Sequence, residues 1–485
     1  MNRSTATRIG EVHHVADADA SYRKVLADVI GTKDEVTSGE TQSVGSKRAS
    51  KEILHYNLVI ENPRERLIWN PQRPINLPAA VARFVWMMAG NDRLKDIEFY
   101  EPKAAFFTDD GIVMPGSCYG HRMIYPAPGC NQILGIVERL KRDIATRRAA
   151  ISVYRAEDAV RESKDIPCTF GLAFHNRDGF LHPSVVMRSN NAFILLPYNI
   201  FEFSMLGEVI AAEVGLELGA MSYYAMSMHV YANDYKAAQN VIDADLHNPN
   251  KPIPPMPRIP SPLGQIQELV KIEANARHAA AGFSRTDFEA KWVRCADEKL
   301  DPYWRQFYYL LLLAMCKKVN FQQGVMMLQE FIDDPWLSCL PKETFASPPV
   351  LVQRKPAAEL DLFGEPVTRT GKQEFRTTKL PAGVSENAYP VSNAADSTII
   401  SKADLEKEFE TLLQLYKPYV ARDQWSQVTE YRSKFLSAAA TTPETTARVV
   451  ERLRKLKFSL LPKEKVQSNR APADRIIEEL QKLLV

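Results

Sequence analysis

A proline and a cysteine, Pro167-Cys168, stand immediately before a stretch of β-forming residues. A cysteine at a strand entry can face a cleft, and cationic neighbours would raise its thiolate fraction and make it a nucleophile. A lone cysteine serves equally well as a small buried hydrophobe. Further along, Arg188-Ser189 offers a two-pronged guanidinium and a hydroxyl, a pairing suited to a phosphate. Asn199 stands at the head of an apolar helix. Its carboxamide presents one donor and one acceptor, which match the O4 and N3–H edge of uracil. Capping the helix is its plainer use. His229 and Tyr231 alternate along a strand and so share a face, where they can hold a sugar hydroxyl or fill a core. Arg147-Arg148, just before another strand, forms either a second anion clamp or an exposed surface pair.

The elements that must position these groups are legible in the patterning. Residues 53–60 (ILHYNLVI) are β-rich and bounded by Asn62-Pro63, which predicts a strand. Residues 77–89 follow Asn76 with helical apolar spacing, contain Trp86 and Met87, and end at Gly90. Residues 131–142 predict an amphipathic helix, and 149–154, 169–176, 184–187 and 220–231 predict strands. Residues 200–214 predict a long, mostly buried helix, and 21–31 a short one ending at Gly31. Residues 1–20 read as a polar arm and 36–50 as a loop.

The chain has 485 residues, too many for one ordinary core, and its 45% hydrophobic and 25% charged content is that of a globular protein. A formal net charge of +2 gives no global pull toward nucleic acid or membrane, so any anion site must be local. The six cysteines form no Cys-x-x-Cys pair and no metal-ligand spacing with histidine, so no metal is expected. Nothing in the N-terminal residues resembles a secretion signal, and the apolar run 307–315 is too short to span a bilayer, so a cytoplasmic setting (the host's, if phage-encoded) is expected.

Taken in order, TRRAAISVY at 146–154, Pro167-Cys168, a strand ending in Arg-Asp-Gly, MRSNNAFILLPYN at 187–199 and MHVYAND at 228–234 resemble the thymidylate synthase family. RFVWMMAG at 83–90 and SCYGHR at 117–122 fall where that family has a helix and a Tyr-Gly turn, and the resemblance covers roughly residues 50–260. It implies an α+β fold, a large twisted sheet with packed helices that dimerises through the sheet, followed here by α-helical extensions. It implies that Cys168 adds to carbon 6 of a pyrimidine nucleotide, that carbon 5 takes a one-carbon unit from 5,10-methylenetetrahydrofolate, and that Tyr119 is linked to proton removal from carbon 5. Arg188 and Ser189 would hold the phosphate, Arg147 and Arg148 would reach it from the other subunit of a homodimer, and His229 and Tyr231 would hold the 3′-hydroxyl. Asn199 would select uracil over cytosine.

The departures from the family pattern are as informative. Arg83 stands where a helix glutamate organises water and proton transfer, Asn191 where an aspartate touches the folate, Thr169 where a histidine follows the nucleophile, and Met187 where a glutamine precedes the phosphate arginine. No counterpart is found for the tryptophan that shields the reactive methylene, although Phe106 and Phe107 lie in that region. Loss of a carboxylate, an indole and a closing tail would admit water, which favours 5-hydroxymethyl-dUMP as product over dTMP. A catalytically inactive nucleotide-binding or scaffolding module is the alternative of another class, against which retention of Cys168 speaks.

The chain is expected to divide into an N-terminal arm and loop (1–49), a core (50–262), a helical extension (263–346) beginning after a proline-rich stretch, a disordered linker (347–400) and a C-terminal helical module (401–485). Trp292, Trp304 and Trp336 are expected as core residues. Within the linker, Glu359-Leu360-Asp361-Leu362-Phe363 resembles a bacterial sliding-clamp binding peptide, which would dock apolar side chains into a groove.

Overall fold

The structure is a computed structural model that describes residues 12–33, 35–38, 48–127, 129–245, 252–334, 336–341, 344–345 and 409. The expected linker, the C-terminal module and the clamp-like peptide Glu359–Phe363 lie outside the described residues.

The N-terminal region carries strand β1 (Val12–Val15), helix α1 (Ala18–Ile30) and strand β2 (Glu35–Ser38), so it is more than the expected arm and loop. Asp17 caps α1 by accepting from the Ala20 N–H at 2.9 Å, and Tyr22, Val25, Leu26 and Val29 on one face of α1 are fully buried. Strand β1 escaped notice because it is four residues long, VHHV, and lies at a sheet edge with half its residues exposed. Strand β3 (Arg48–Ile60) starts earlier than expected because its first residues pair with β2.

Helix α2 (Leu77–Ala89) has the predicted bounds, with the Asn76 side chain capping its start and Gly90 its end. Helices α3 (Leu94–Glu98), α4 (Tyr119–Ile124) and α5 (Gln132–Arg142) follow, and then strand β4 (Ala150–Ser152). Strands β5 (Thr169–Arg177) and β6 (Phe180–Met187) form a hairpin whose turn, Asp178-Gly179, has positive φ at both residues, the conformation that a two-residue hairpin requires. Strand β6 is twice the expected length. Pro183 argues against a strand, but it falls just before the pairing of β6 with the later strand at Ser184–Met187 begins, where its missing N–H costs no ladder bond on that side. After β7 (Asn190–Asn191) comes helix α6 (Leu196–Glu213), then β8 (Glu217–Leu218), β9 (Met221–Tyr231) and helix α7 (Tyr235–Asp243). Asn199 does not cap α6. The helix begins four residues before the expected Ile200, with Leu195 at the cap, because Pro197 in the first turn is compatible with a helix start.

The main path of the sheet runs β1-β3-β9-β6-β5-β4, with β2 on β3, β7 on β9 and β8 on β6. Sheet and helices together give an α+β architecture. Helix α6 is buried from Leu196 to Ala211 on nearly every face, which explains its continuous apolar sequence.

Beyond 262 lie helices α8 (Pro262–Ala279), α9 (Pro302–Lys318) and α10 (Gln322–Leu328). These helices share one core with the sheet: Ile266, Leu269 and Leu310–Leu313 are buried in the same cluster as α2 and α6. Polar contacts tie them in as well. The Tyr100 hydroxyl donates to Glu273 at 2.6 Å, and Arg277 pairs with Asp96 at 2.8 Å. Trp304 and Trp336 are core residues and Trp292 is half-buried. Among the described residues no helix is long and apolar enough to cross a membrane.

Helix α4 crosses α2 so closely that a Cβ on Gly120 would stand 1.5 Å from the Met87 carbonyl oxygen. Gly120→Ala must therefore push the two helices apart. We expect a loss of about 3 kcal/mol or more of stability, read as a lowered urea midpoint. An unchanged midpoint would contradict this packing.

Candidate active site

A cleft of about 700 Å³ opens between α2, the segment after α3, and the loops that lead into β5 and α6. Cys168 and Tyr119 both line it. Cys168 is held at the mouth of β5, where the register between β5 and β6 shifts between Thr169 and Gly171. The Arg188 N–H donates to the Cys168 carbonyl at 2.6 Å, and an Arg188 guanidinium nitrogen stands 4.0 Å from the sulfur. Burial pushes the Cys168 thiol above its ordinary value, Arg188 pulls it down and Asp165 pushes it up. The resting group is therefore a thiol held beside the cation that stabilises its thiolate.

Ser189 and His229 meet at 3.3 Å between hydroxyl and Nδ1. The rings of His229 and Tyr231 stand edge to face at 4.9 Å, so the shared strand face inferred from their alternation is present. Burial and Arg188 lower the imidazole to about 4, which leaves His229 neutral near neutral pH. Arg188, Ser189, His229 and Tyr231 form a polar shelf around Arg188, next to Cys168. Arg147 and Arg148 are exposed in the loop before β4, away from the cleft lining.

Asn191 does not line the cleft. Its carboxamide oxygen accepts from the Ile194 N–H at 2.8 Å and thereby shapes the loop that carries Phe193 and Ile194 into the cleft wall. Asn199 is fully enclosed: its oxygen accepts from Asn190 Nδ2 at 2.8 Å, and its nitrogen donates to Glu202 at 3.4 Å.

Arg83 lines the cleft but does not stand alone. Its Nε donates to Glu202 at 2.7 Å and its Nη1 to Glu101 at 3.0 Å. Glu202 lies on α6, buried, and Glu101 lies on the cleft wall. Helix α2 itself carries no carboxylate, as expected, but Arg83 brings two to it, Glu202 from α6 and Glu101 from the cleft wall. Burial raises Glu202 above the ordinary carboxylate range and Arg83 opposes the rise. Both its oxygens accept from N–H donors, the pattern of an ionised carboxylate. Tyr119 shares the cleft lining with Cys168 and Arg83 and feels the charges of Cys168, Glu202 and Arg83. Burial, Cys168 and Glu202 raise its hydroxyl, so it stays protonated.

An indole does reach the cleft, from the RFVWMMAG segment of α2 and not from the region of Phe106 and Phe107. Trp86 lines the cleft beside Phe107, and its Nε1 is buried without a partner among the described residues. Sequence reasoning missed Glu202, Glu101 and Trp86 as site residues. Glu202 left a signal: a carboxylate in the most apolar stretch of the helix, three residues after Asn199 and so on the same face.

Comparison with known proteins agrees with this arrangement. Residues 22–259 match the family model described as thymidylate synthase, and this part of the chain belongs to that family. The match begins inside α1, not at residue 50, as the burial of α1 in the core requires. The chain is 29% identical over 251 residues to a deoxyuridylate hydroxymethyltransferase of Bacillus phage SP01, covering 48% of this chain and 63% of that protein. It is 29% identical over 185 residues to a protein of the same name from Delftia phage PhiW-14, covering 36% and 50%. It is also 24% identical over 230 residues to a putative thymidylate synthase of Methanosarcina acetivorans, covering 46% and 91%. The chain thus spans less than two thirds of either phage relative.

The geometry around Cys168 fixes a pH response. Without nucleotide, iodoacetamide should alkylate Cys168 slowly at neutral pH and ever faster as pH rises past the ordinary thiol value, because the folded pKa is raised. Arg188→Ala removes the group that lowers it, so the rate at a given pH should fall further. A rate already at its plateau at neutral pH would contradict the assignment.

Proposed function

We propose that this domain transfers a one-carbon unit to carbon 5 of a pyrimidine nucleotide, with dUMP as substrate and 5-hydroxymethyl-dUMP as product. The observation that carries the reading is the placement of Cys168 in the cleft, beside Arg188 and in the same lining as Tyr119. A site that only bound nucleotide would have no use for a thiol against a guanidinium.

Cys168 Sγ forms a bond to carbon 6, and the electrons of the ring double bond move to carbon 5, which becomes the nucleophile. Methylenetetrahydrofolate supplies the one-carbon unit when bound. The aromatic and aliphatic wall of Trp86, Ile97, Phe107 and Phe193 suits a flat ring system, and the partnerless Trp86 Nε1 offers it a donor. The carbon-5 proton must then leave. Tyr119, held protonated, orients the accepting water by donating to it, and the Arg83–Glu101 pair on the cleft wall keeps that water charged-bonded and in place. Arg188 and Ser189 receive the phosphate. His229, neutral, and Tyr231 receive the sugar hydroxyl.

The sequence-based preference for hydroxymethylation has two premises at the cleft, the missing α2 carboxylate and the missing shielding indole. A different one supports the same product. Arg83 and Glu101 place charge on the cleft wall, and charged groups hold their hydration. Once the folate amine has left the one-carbon unit, water kept beside the exocyclic carbon adds there, its oxygen bonding to carbon and its proton passing to solvent, while the ring double bond re-forms and Cys168 leaves as the thiolate. The names of the phage relatives point the same way.

Purified protein incubated with dUMP and methylenetetrahydrofolate should yield, by mass spectrometry, a hydroxymethylated nucleotide with no dihydrofolate, and Cys168→Ala should yield none. A methylated nucleotide with equimolar dihydrofolate would instead make the activity thymidylate synthesis. No product from dUMP, dCMP, UMP or CMP, with binding retained, would leave a nucleotide-binding module.

The exposed Arg147 and Arg148 support a homodimer in which each subunit completes its partner's phosphate site. Inactive Cys168→Ala and inactive Arg147→Ala/Arg148→Ala proteins, unfolded and refolded together, should regain up to about one quarter of the wild-type rate, since half the dimers are mixed and each mixed dimer has one intact site. No regain despite mixed dimers would exclude shared sites.

A further inference from the structure

The amide of Asn199 can be read in two orientations, and its neighbours determine which one is present. Asn190 approaches the oxygen with an N–H, and Glu202 approaches the nitrogen with a carboxylate oxygen. Each end of the amide keeps one further hydrogen-bonding position, an acceptor on the oxygen and a donor on the nitrogen. Inverting the amide would exchange those positions and so exchange the pattern it offers to a base. The inversion is sterically trivial. What opposes it is Glu202, which as an ionised carboxylate has only acceptors and cannot face a carbonyl oxygen. Glu202 in turn cannot turn away, because its other oxygen is held at 2.7 Å by Arg83, itself held by Glu101. Asn190 imposes nothing of its own. Its Oδ1 is buried with no partner, so the side chain can turn over to meet an inverted Asn199 by exchanging one bond for another, with its NH2 then left unpartnered in place of the oxygen.

We propose that Glu202, oriented by Arg83, sets the orientation of the Asn199 amide and thereby the preference for uracil over cytosine at ring position 4. This rests on the activity proposed above and on the contact with the base that the family resemblance implies for Asn199. Glu202 is a positioning residue: it acts through Asn199 and does not touch the nucleotide. The assignment gives Arg83 a purpose in this site that a lone arginine facing the cleft would lack.

A glutamine at 202 reverses the logic. Arg83 still demands an acceptor, so the glutamine oxygen faces Arg83 and its NH2 faces Asn199. Two NH2 groups cannot share a hydrogen bond, so Asn199 inverts, and Asn190 turns over to receive it. The test is titration calorimetry of the full-length protein with dUMP and dCMP separately. Glu202→Gln should lower the ratio of dUMP to dCMP affinity by about tenfold or more, with unchanged affinity for inorganic phosphate. The double variant Glu202→Gln/Asn190→Asp keeps the total charge and satisfies the inverted amide from both sides. It should bind dCMP more tightly than dUMP, and it serves if the single variant is unstable. An unchanged ratio in either variant, with the melting curve retained, overturns the role of Glu202 while leaving the activity reading intact. If the wild-type protein binds neither nucleotide, the activity reading falls and this inference falls with it.

Discussion

Helix α6 is surrounded by protein on nearly all sides, yet carries two carboxylates that water cannot reach, Glu202 and Glu208. A buried charge without a partner costs several kcal/mol, and removing one member of a buried pair typically costs about 3–5 kcal/mol. The rest of the domain is arranged to meet this demand. Arg66, fully buried, and Arg64 reach Glu208 from the segment after β3, and the backbone N–H of Met256 donates to the same group at 3.1 Å. Arg83 reaches Glu202 from α2. The proline-rich segment before α8 is thereby tied to the far end of α6, and α2 to the near end. Helices α8 and α9 cover α2, and this explains why the described helices after residue 262 share a core with the sheet.

The cleft inherits its shape from these ties. Helix α2 cannot shift without pulling Arg83 off Glu202, so Trp86, one turn along the same helix, is held in the wall as well. Helix α4 rests against α2 at Gly120, where only a glycine fits, and this fixes Tyr119 next to it. On the opposite side, the backbone bond from Arg188 to Cys168 joins the end of β6 to the start of β5, so the nucleophile and its cation are positioned by one hairpin. Rigid elements carry every group that the proposed chemistry needs at carbon 6 and carbon 5.

What the sequence made legible was what local patterning controls. The bounds of α2 follow from Asn76, Pro78 and Gly90, and β9 from an alternating run; both were read correctly. The order of short motifs around Cys168 pointed to the family because those motifs stay collinear along the chain. Elements whose existence depends on a distant partner were not legible. Strand β1 is a strand because β3 pairs with it, and β6 continues through Pro183 because no β9 residue pairs there. The carboxylate at the site was missed for the same reason. Reading Arg83 against a single aligned position suggests a lost function, because a sequence comparison registers the residue and not the three-dimensional place that its partner fills.

That place constrains what the arginine can be doing. Were Arg83 merely a substitution that disabled the site, Glu202 would have no reason to be buried three residues from Asn199, where an apolar residue would pack at no electrostatic cost. The pair of Glu208 with Arg64 and Arg66 on the same helix ties segments together, and the Glu202–Arg83 pair differs from it in reaching the Cys168 cleft. Two uses are available and compatible. The outer face of Arg83, with Glu101, lines the cleft, where the proposed chemistry needs water, while its inner bond holds a carboxylate against the amide proposed to meet the base. A glutamate on α2 could organise water, but it would bring no cation to hold Glu202 in place. Moving the negative charge to α6 and placing the arginine between it and the cleft separates the two tasks, giving hydration to one side of the guanidinium and base selection to the other.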